Sequence, residues 1–336
     1  MKKQFKNMKL KALACSFALG ALAHTGMASA DINIKFHHDL PEDSAQHLAA
    51  ERFRDMVAER SGGEISVEIF PNNTLGDDVE VTQQLQLGAV EAAIIPTAKL
   101  SGFVPAMQIV DLPFLFPSPD VAHTVLDGQA GDDLLATVEQ VGLKGVTFWE
   151  SGFKQFTCDQ PVNGPEDFAG QKVRVMQSPI IMEQFKAMGA NPVPIAFGET
   201  YNALQQRIVD CQENPLVSIT QMKFYEVQSD VVISNHAYLA YAFLFSQSWF
   251  DSLSRENQAL LTDAARETTA FQREETARRE TGYIATIEAS GTNVSTLDDA
   301  QLMAFRESTA SVHDEFANEI GADLMAEFQQ AIADTE

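Results

Sequence analysis

Between Ile32 and Ile95 the chain exchanges a two-residue apolar period for a helical one and back again, and that exchange restricts it to an α/β fold. Ile32, Ile34 and Phe36 alternate as a strand. Asp43 or Ser44 can cap the following helix, whose Leu48, Ala49, Phe53, Met56 and Val57 share one face and which ends at Gly62-Gly63. Ile65, Val67 and Ile69 alternate again before Pro71-Asn72. A helix carrying Val81 and Leu85 then stops at Gly88, ahead of a strand over residues 92–95. Strands separated by helices pair in a parallel or mixed sheet and need cover on both faces.

The later chain repeats this grammar with two departures. DLPFLFPSP, residues 111–119, holds too many prolines for an interior strand or helix, so it reads as a rigid loop laying Phe114, Leu115 and Phe116 against a core or along a cleft. A strand over 145–149 runs on through Ser151-Gly152-Phe153 into 154–157, which suggests a crossing from one lobe to another with Gly152 near the bend. After a turn and short helix in 161–170, a second αβ series follows: a strand around Arg174, a helix over 180–188, an extended 192–195, a helix over 199–207, and a strand over 208–213 closed by Asn214-Pro215. The chain turns back after Tyr238-Leu239-Ala240-Tyr241. From Ser254 a helical pattern continues toward Ile287, long enough to brace two lobes, with Glu274, Glu275, Arg278, Arg279 and Glu280 as a solvated, ion-paired face. Amphipathic helices fill 296–333.

Lys2, Lys3, Lys6, Lys9 and Lys11 precede an apolar run over 12–23 and the small residues Ala28-Ser29-Ala30, the pattern of a cleaved export signal over 1–30. Cys15 does not make it a lipoprotein signal, because the apolar run before it is short and broken by Lys9 and Lys11. No later segment approaches ~18 consecutive apolar residues, so a soluble periplasmic protein starting at Asp31 is expected, without membrane insertion. Removing the five lysines takes the formal net charge from −24 to −29, which argues against nucleic acid or an anionic lipid surface as partner. An anionic ligand would need cations concentrated locally. Cys158 and Cys211 are a disulfide or two buried thiols, and sequence does not choose between them.

Arg174 is the least comfortable residue. Val173 and Val175 point to one face of its strand and Arg174 to the other, where an unpaired guanidinium would cost several kcal/mol, so it must meet an acceptor, internal or brought by a ligand. Catalytic patterns are weak. Ser151-Gly152-Phe153-Lys154 has S-x-x-K spacing without the companion motifs, and His37-His38-Asp39 lacks a second ligand set for zinc. No phosphate-binding loop, dinucleotide fingerprint or nucleophile elbow occurs, and neither an enzyme nor a cofactor is expected. Lys99, Lys154 and Arg174 sit at strand ends, where open α/β sheets hold ligands. Trp149, Phe153 and Phe197 offer apolar walls, and Gln177, Gln212 and Asn214 neutral hydrogen bonds.

Seven segments carry a family resemblance: HHDLPEDS (37–44), PNNTLGDD (71–78), LQLGAV (85–90), TAKL (97–100), DLPFLF (111–116), WESGFKQFT (149–157), and KVRVMQSP…GANPVPIAFGETYNALQ…VDCQENP within 172–215. The chain resembles the dicarboxylate-type (DctP) solute-binding proteins of tripartite ATP-independent periplasmic (TRAP) transporters over essentially its whole mature length. The resemblance implies a two-lobed periplasmic binding protein clamp with a long bridging helix, with 31–151 and 240–279 in lobe I and 152–239 and 280–336 in lobe II. It implies that Arg174 makes a paired contact with a ligand carboxylate, that Asn214 supports the same group and that Phe197 lines the site. Lys154, Lys99, His38, Trp149, Gln177, Glu42 and Tyr238 complete the candidate set. Lys154 stands where many relatives have arginine; with Lys99 it favours a C4-dicarboxylate such as succinate, fumarate or malate, with uronic or aldonic sugar acids as rivals. Membrane permease subunits are the implied partners, and the protein is expected to be a monomer. Arg207 and Cys211 stand where relatives have glycine, so either the turn at Arg207 differs or its backbone needs no positive φ.

Overall fold

The computed structural model describes residues 32–335. The export signal, Cys15 and the expected mature start at Asp31 lie outside the described residues. Ten strands follow in chain order: β1 (Ile32–His37), β2 (Ile65–Phe70), β3 (Ala92–Pro96), β4 (Leu143–Cys158), β5 (Lys172–Val175), β6 (Asn191–Pro194), β7 (Cys211–Pro215), β8 (Asp230–Ile233), β9 (Tyr238–Ser246) and β10 (Asn293–Thr296). Their order is β2-β1-β3-β9-β4-β7-β5-β6, with β8 beside β4 and β10 beside β8. The βα grammar of 32–95 appears as β2, β1 and β3 in parallel, whereas β9 returns antiparallel to β3 and β4. Caps fall where the side chains allow: Ser44 Oγ accepts the His47 amide, and Asp77 with Glu80 forms a reciprocal capping box.

β4 joins the two lobes. Its first part pairs with β9 and its last residues with β7 and β8, with the register shifting between Glu150 and Gly152. Gly152 has φ of +91°, a conformation costly for residues with a side chain, which is why the bend sits there. The 35-residue helix Arg255–Ala289, about 50 Å long, packs on the Ala45–Arg60 helix and β4 at one end and on the Leu216–Gln221 helix and β10 at the other, bridging both lobes. Its Gln272 pins the bend by accepting from the Glu150 amide at 2.9 Å and donating to the Glu150 carbonyl at 2.8 Å. Glu275 forms the ion pairs with Arg278 and Arg279 that the charge pattern suggested, but its own side chain is buried and not solvated. The Ala322–Thr335 helix, with Met325 and Phe328 buried, packs on the Pro119–Asp127, Gln129–Ala136 and Ser311–Ile320 helices.

Two positions left open by the sequence are resolved. Arg207 has φ of +55°, so the turn keeps the left-handed backbone that glycine would supply and the arginine bears the strain. Cys158 and Cys211 are direct partners in the β4–β7 register and form a disulfide. It closes a loop with sequence separation 53, which in the chain-entropy account contributes about 4 kcal/mol. Urea unfolding with and without reductant should therefore differ by about that amount, and coincident curves would show the crosslink to be energetically idle.

Candidate functional site

At the ends of β1, β3, β5 and β7 the lobes enclose a cavity lined by Asp39, Asp78, Pro96, Lys99, Met176, Phe197, Asn214, Ser218, Leu239 and Tyr241. Its volume is about 10 Å³, room for one water-sized sphere. The cleft is therefore closed, and an organic molecule enters only if the lobes part. Lys99, in the cavity wall, donates from Nζ to Oε1 of the exposed Gln177 at 3.0 Å, which joins two of the candidate residues.

Arg174 is fully buried on β5. Its Nε and Nη2 both donate to the Ile195 carbonyl, at 3.0 and 2.8 Å, while Nη1 has no hydrogen-bond partner. No carboxylate of the described residues lies within ion-pair distance of it. Burial lowers its pKa to about 10, countered by Glu213, Asp78 and Asp39, so it stays cationic at neutral pH. The internal acceptor is thus one backbone oxygen, and the guanidinium keeps an unused donor edge of the kind that grips a carboxylate. Asn214 is oriented from behind by a relay: its Nδ2 donates to Gln212, Gln212 to Thr157, and Thr157 to Gln228. Phe197 lines the cavity and lies edge-on to Phe224.

The other candidates are occupied elsewhere. Lys154 lies fully buried between Asp111 at 3.4 Å and Glu213 at 3.3 Å, an internal brace and not a cation presented to the cleft. Trp149 packs edge-on against Phe36 and Phe243 in the core of the first lobe, because its strand register turns that face inward. Tyr238 donates to Glu150 and packs on Phe116 and Phe153. His38 shares a hydrogen bond with His47 at 3.0 Å, and burial followed by the His47 charge pushes its pKa down to about 3. Glu42 is exposed in the turn before the first helix.

Sequence reasoning missed the carboxyls. Asp39 and Asp78 are both buried in the cavity wall; Asp39 accepts from the Tyr241 hydroxyl at 3.1 Å, and Asp78 Oδ1 has no hydrogen-bond partner. Burial raises both, Asp39 further because Asp78 is beside it and Asp78 to about 6. They were visible as the last residues of HHD and LGDD, but in a chain this acidic a lone aspartate reads as solvated surface. Among the described residues no trio of histidine, cysteine, aspartate or glutamate is placed to hold a metal, and no helix is long and apolar enough to cross a membrane. A wider groove of about 290 Å³ is lined by Asp127, Asp132, Arg266 and Arg273, but both arginines are already paired with those aspartates.

Comparison with known proteins gives consistent matches. The model of the bacterial extracellular solute-binding protein family 7, DctP, matches residues 36–319. The 2,3-diketo-L-gulonate-binding periplasmic protein YiaO of Escherichia coli is 34% identical over 323 residues, covering 95% of this chain and 98% of its own. A TRAP periplasmic solute-binding protein from Sulfurospirillum deleyianum, solved with bound succinate, superposes with a TM-score of 0.85 at 36% identity, covering 89% of this chain and 99% of that one. A sugar acid binding protein from Advenella mimigardefordensis, solved with galactonate, gives 0.88 at 34% identity, covering 90% and 98%.

Proposed function

The chain belongs to family 7 of the bacterial extracellular solute-binding proteins, and from that premise we propose that it captures one small organic acid anion between its lobes and delivers it to membrane permease subunits. Arg174 is the carboxylate anchor, Asn214 supports the same group, Phe197 forms the apolar wall, and Lys99, joined to Gln177, is part of the cavity wall. The observation that carries this reading is the fully buried guanidinium whose Nη1 has no partner; Arg174 does not itself line the closed cavity but sits on β5, which leads directly to the cavity-lining Met176. Opening hinges at the β4 and β9 crossings, with lobes over 31–151 plus 240–279 and 152–239 plus 280–336, the last helix apart. Export to the periplasm as a monomer fits the basic and apolar leader and the periplasmic names of the relatives.

Carboxylate capture has a thermodynamic signature. A ligand that binds only the folded form stabilises it by about 2.7 kcal/mol at a hundred times its dissociation constant. In a thermal-shift panel of C4-dicarboxylates, aldonates and uronates, at least one acid should raise the melting temperature, and its primary amide should not. A panel in which amides stabilise as well as acids would remove the carboxylate from the account.

A further inference from the structure

Resting on that carboxylate-capture reading, we infer that the ligand's other end is a hydrogen-bond donor, hydroxyl or ammonium, received by Asp78 with Asp39, and not a second carboxylate. Two independent observations point there. Asp78 is 1% exposed, lines the cavity and has an oxygen without a partner, its nearest base being His37 Nε2 at 4.0 Å. His37 is itself pushed down to about 4, chiefly by burial, so it is neutral and supplies no counter-charge at pH 7.

The second observation is the charge count around the cleft. A dicarboxylate wants two cation clusters, and the sequence offered Lys154 for the second. Lys154 is held by Asp111 and Glu213, which leaves Arg174 and Lys99 as the cations near the cavity. Against them stand Asp39 and Asp78, two carboxyls buried in the cavity wall, and burial raises both. A second ligand carboxylate would be buried beside these two carboxyls, an arrangement low-dielectric sites reject strongly. A hydroxyl or ammonium instead meets an acceptor that is already desolvated.

Matched ligands that differ only at the far end test this: 4-hydroxybutyrate and 4-aminobutyrate against succinate, and galactonate against galactarate, by calorimetry on the wild-type protein, Asp78→Asn and Arg174→Ala. In the pair that binds, the donor-ended member is expected to be at least tenfold tighter, about 1.4 kcal/mol, and Asp78→Asn to narrow that ratio by weakening the donor-ended member and admitting the diacid. Equal or tighter binding of the diacid by the wild-type protein overturns the inference, whatever the variant does. Arg174→Ala separates it from its premise: if that variant loses every ligand while the diacid is preferred, carboxylate capture stands and the donor assignment falls. If Arg174→Ala loses nothing, or the wild-type protein binds no member at millimolar concentration, the premise falls and takes the inference with it.

Discussion

Lys154→Met should lower the free energy of unfolding at pH 7 by about 3–5 kcal/mol, the scale seen when one partner of a buried ion pair is removed. The lysine is completely buried and lies between Asp111, on the first-lobe segment after β3, and Glu213 on β7 of the second lobe. Asp111 also accepts from Thr97, and Glu213 lies 3.5 Å from the His236 imidazole. Without the ammonium, two carboxyls would share one dry site. Burial already raises Asp111 to about 6 despite the lysine, whereas Glu213, raised by burial, is pulled below its usual range by Lys154, His236 and Arg174.

The pH dependence of that loss has a definite sign. The folded protein binds a proton on Asp111 more tightly than the unfolded chain does, so this group's contribution favours folding at low pH and is lost as pH rises from about 4 to about 6. Removing Lys154 moves the folded-state pKa values of both carboxyls upward and extends the loss into the neutral range. The difference between wild type and Lys154→Met should therefore be larger at pH 7 than at pH 5. Urea titrations at the two pH values check this. A difference that stays constant, or stays below 1 kcal/mol at pH 7, would mean that the two carboxyls find other partners.

The same residue shows where sequence reading stops. Alternation and helical period located β1 to β3, the crossing strand with its bend at Gly152, and the long bridging helix, because each follows from side-chain pattern within a few residues. Arg174 was equally legible, since a charge between two valines is a local anomaly. Lys154 was not: whether a lysine meets solvent, ligand or a carboxylate depends on Asp111 and Glu213, residues 43 and 59 positions away. Trp149 and Tyr238 fail for a related reason, since an aromatic near a cleft and one in the adjacent core differ only in the direction of a single bond to the strand. Arg207 is the reverse case, a residue with a long side chain held at a positive φ that glycine adopts most easily.

Arg174→Ala carries the other large effect. The guanidinium spends Nε and Nη2 on the Ile195 carbonyl and leaves Nη1 without a partner, so the protein has already borne its desolvation and holds the donor in place. Truncation would deprive a buried ligand carboxylate of its guanidinium partner, a penalty of about 3–5 kcal/mol, which is a hundredfold or more in dissociation constant. Arg174→Lys retains the charge without the planar fork and should fall between the two. Because Asp78, Asp39 and Glu213 lose a compensating charge, the unliganded variant is expected to be destabilised as well, and circular dichroism must confirm that it is folded at the titration temperature. The deciding measurement is calorimetric titration of folded Arg174→Ala with the acid that the wild-type protein binds most tightly. A dissociation constant raised at least a hundredfold is the predicted result, and one within threefold of wild type would contradict Arg174 as the anchor.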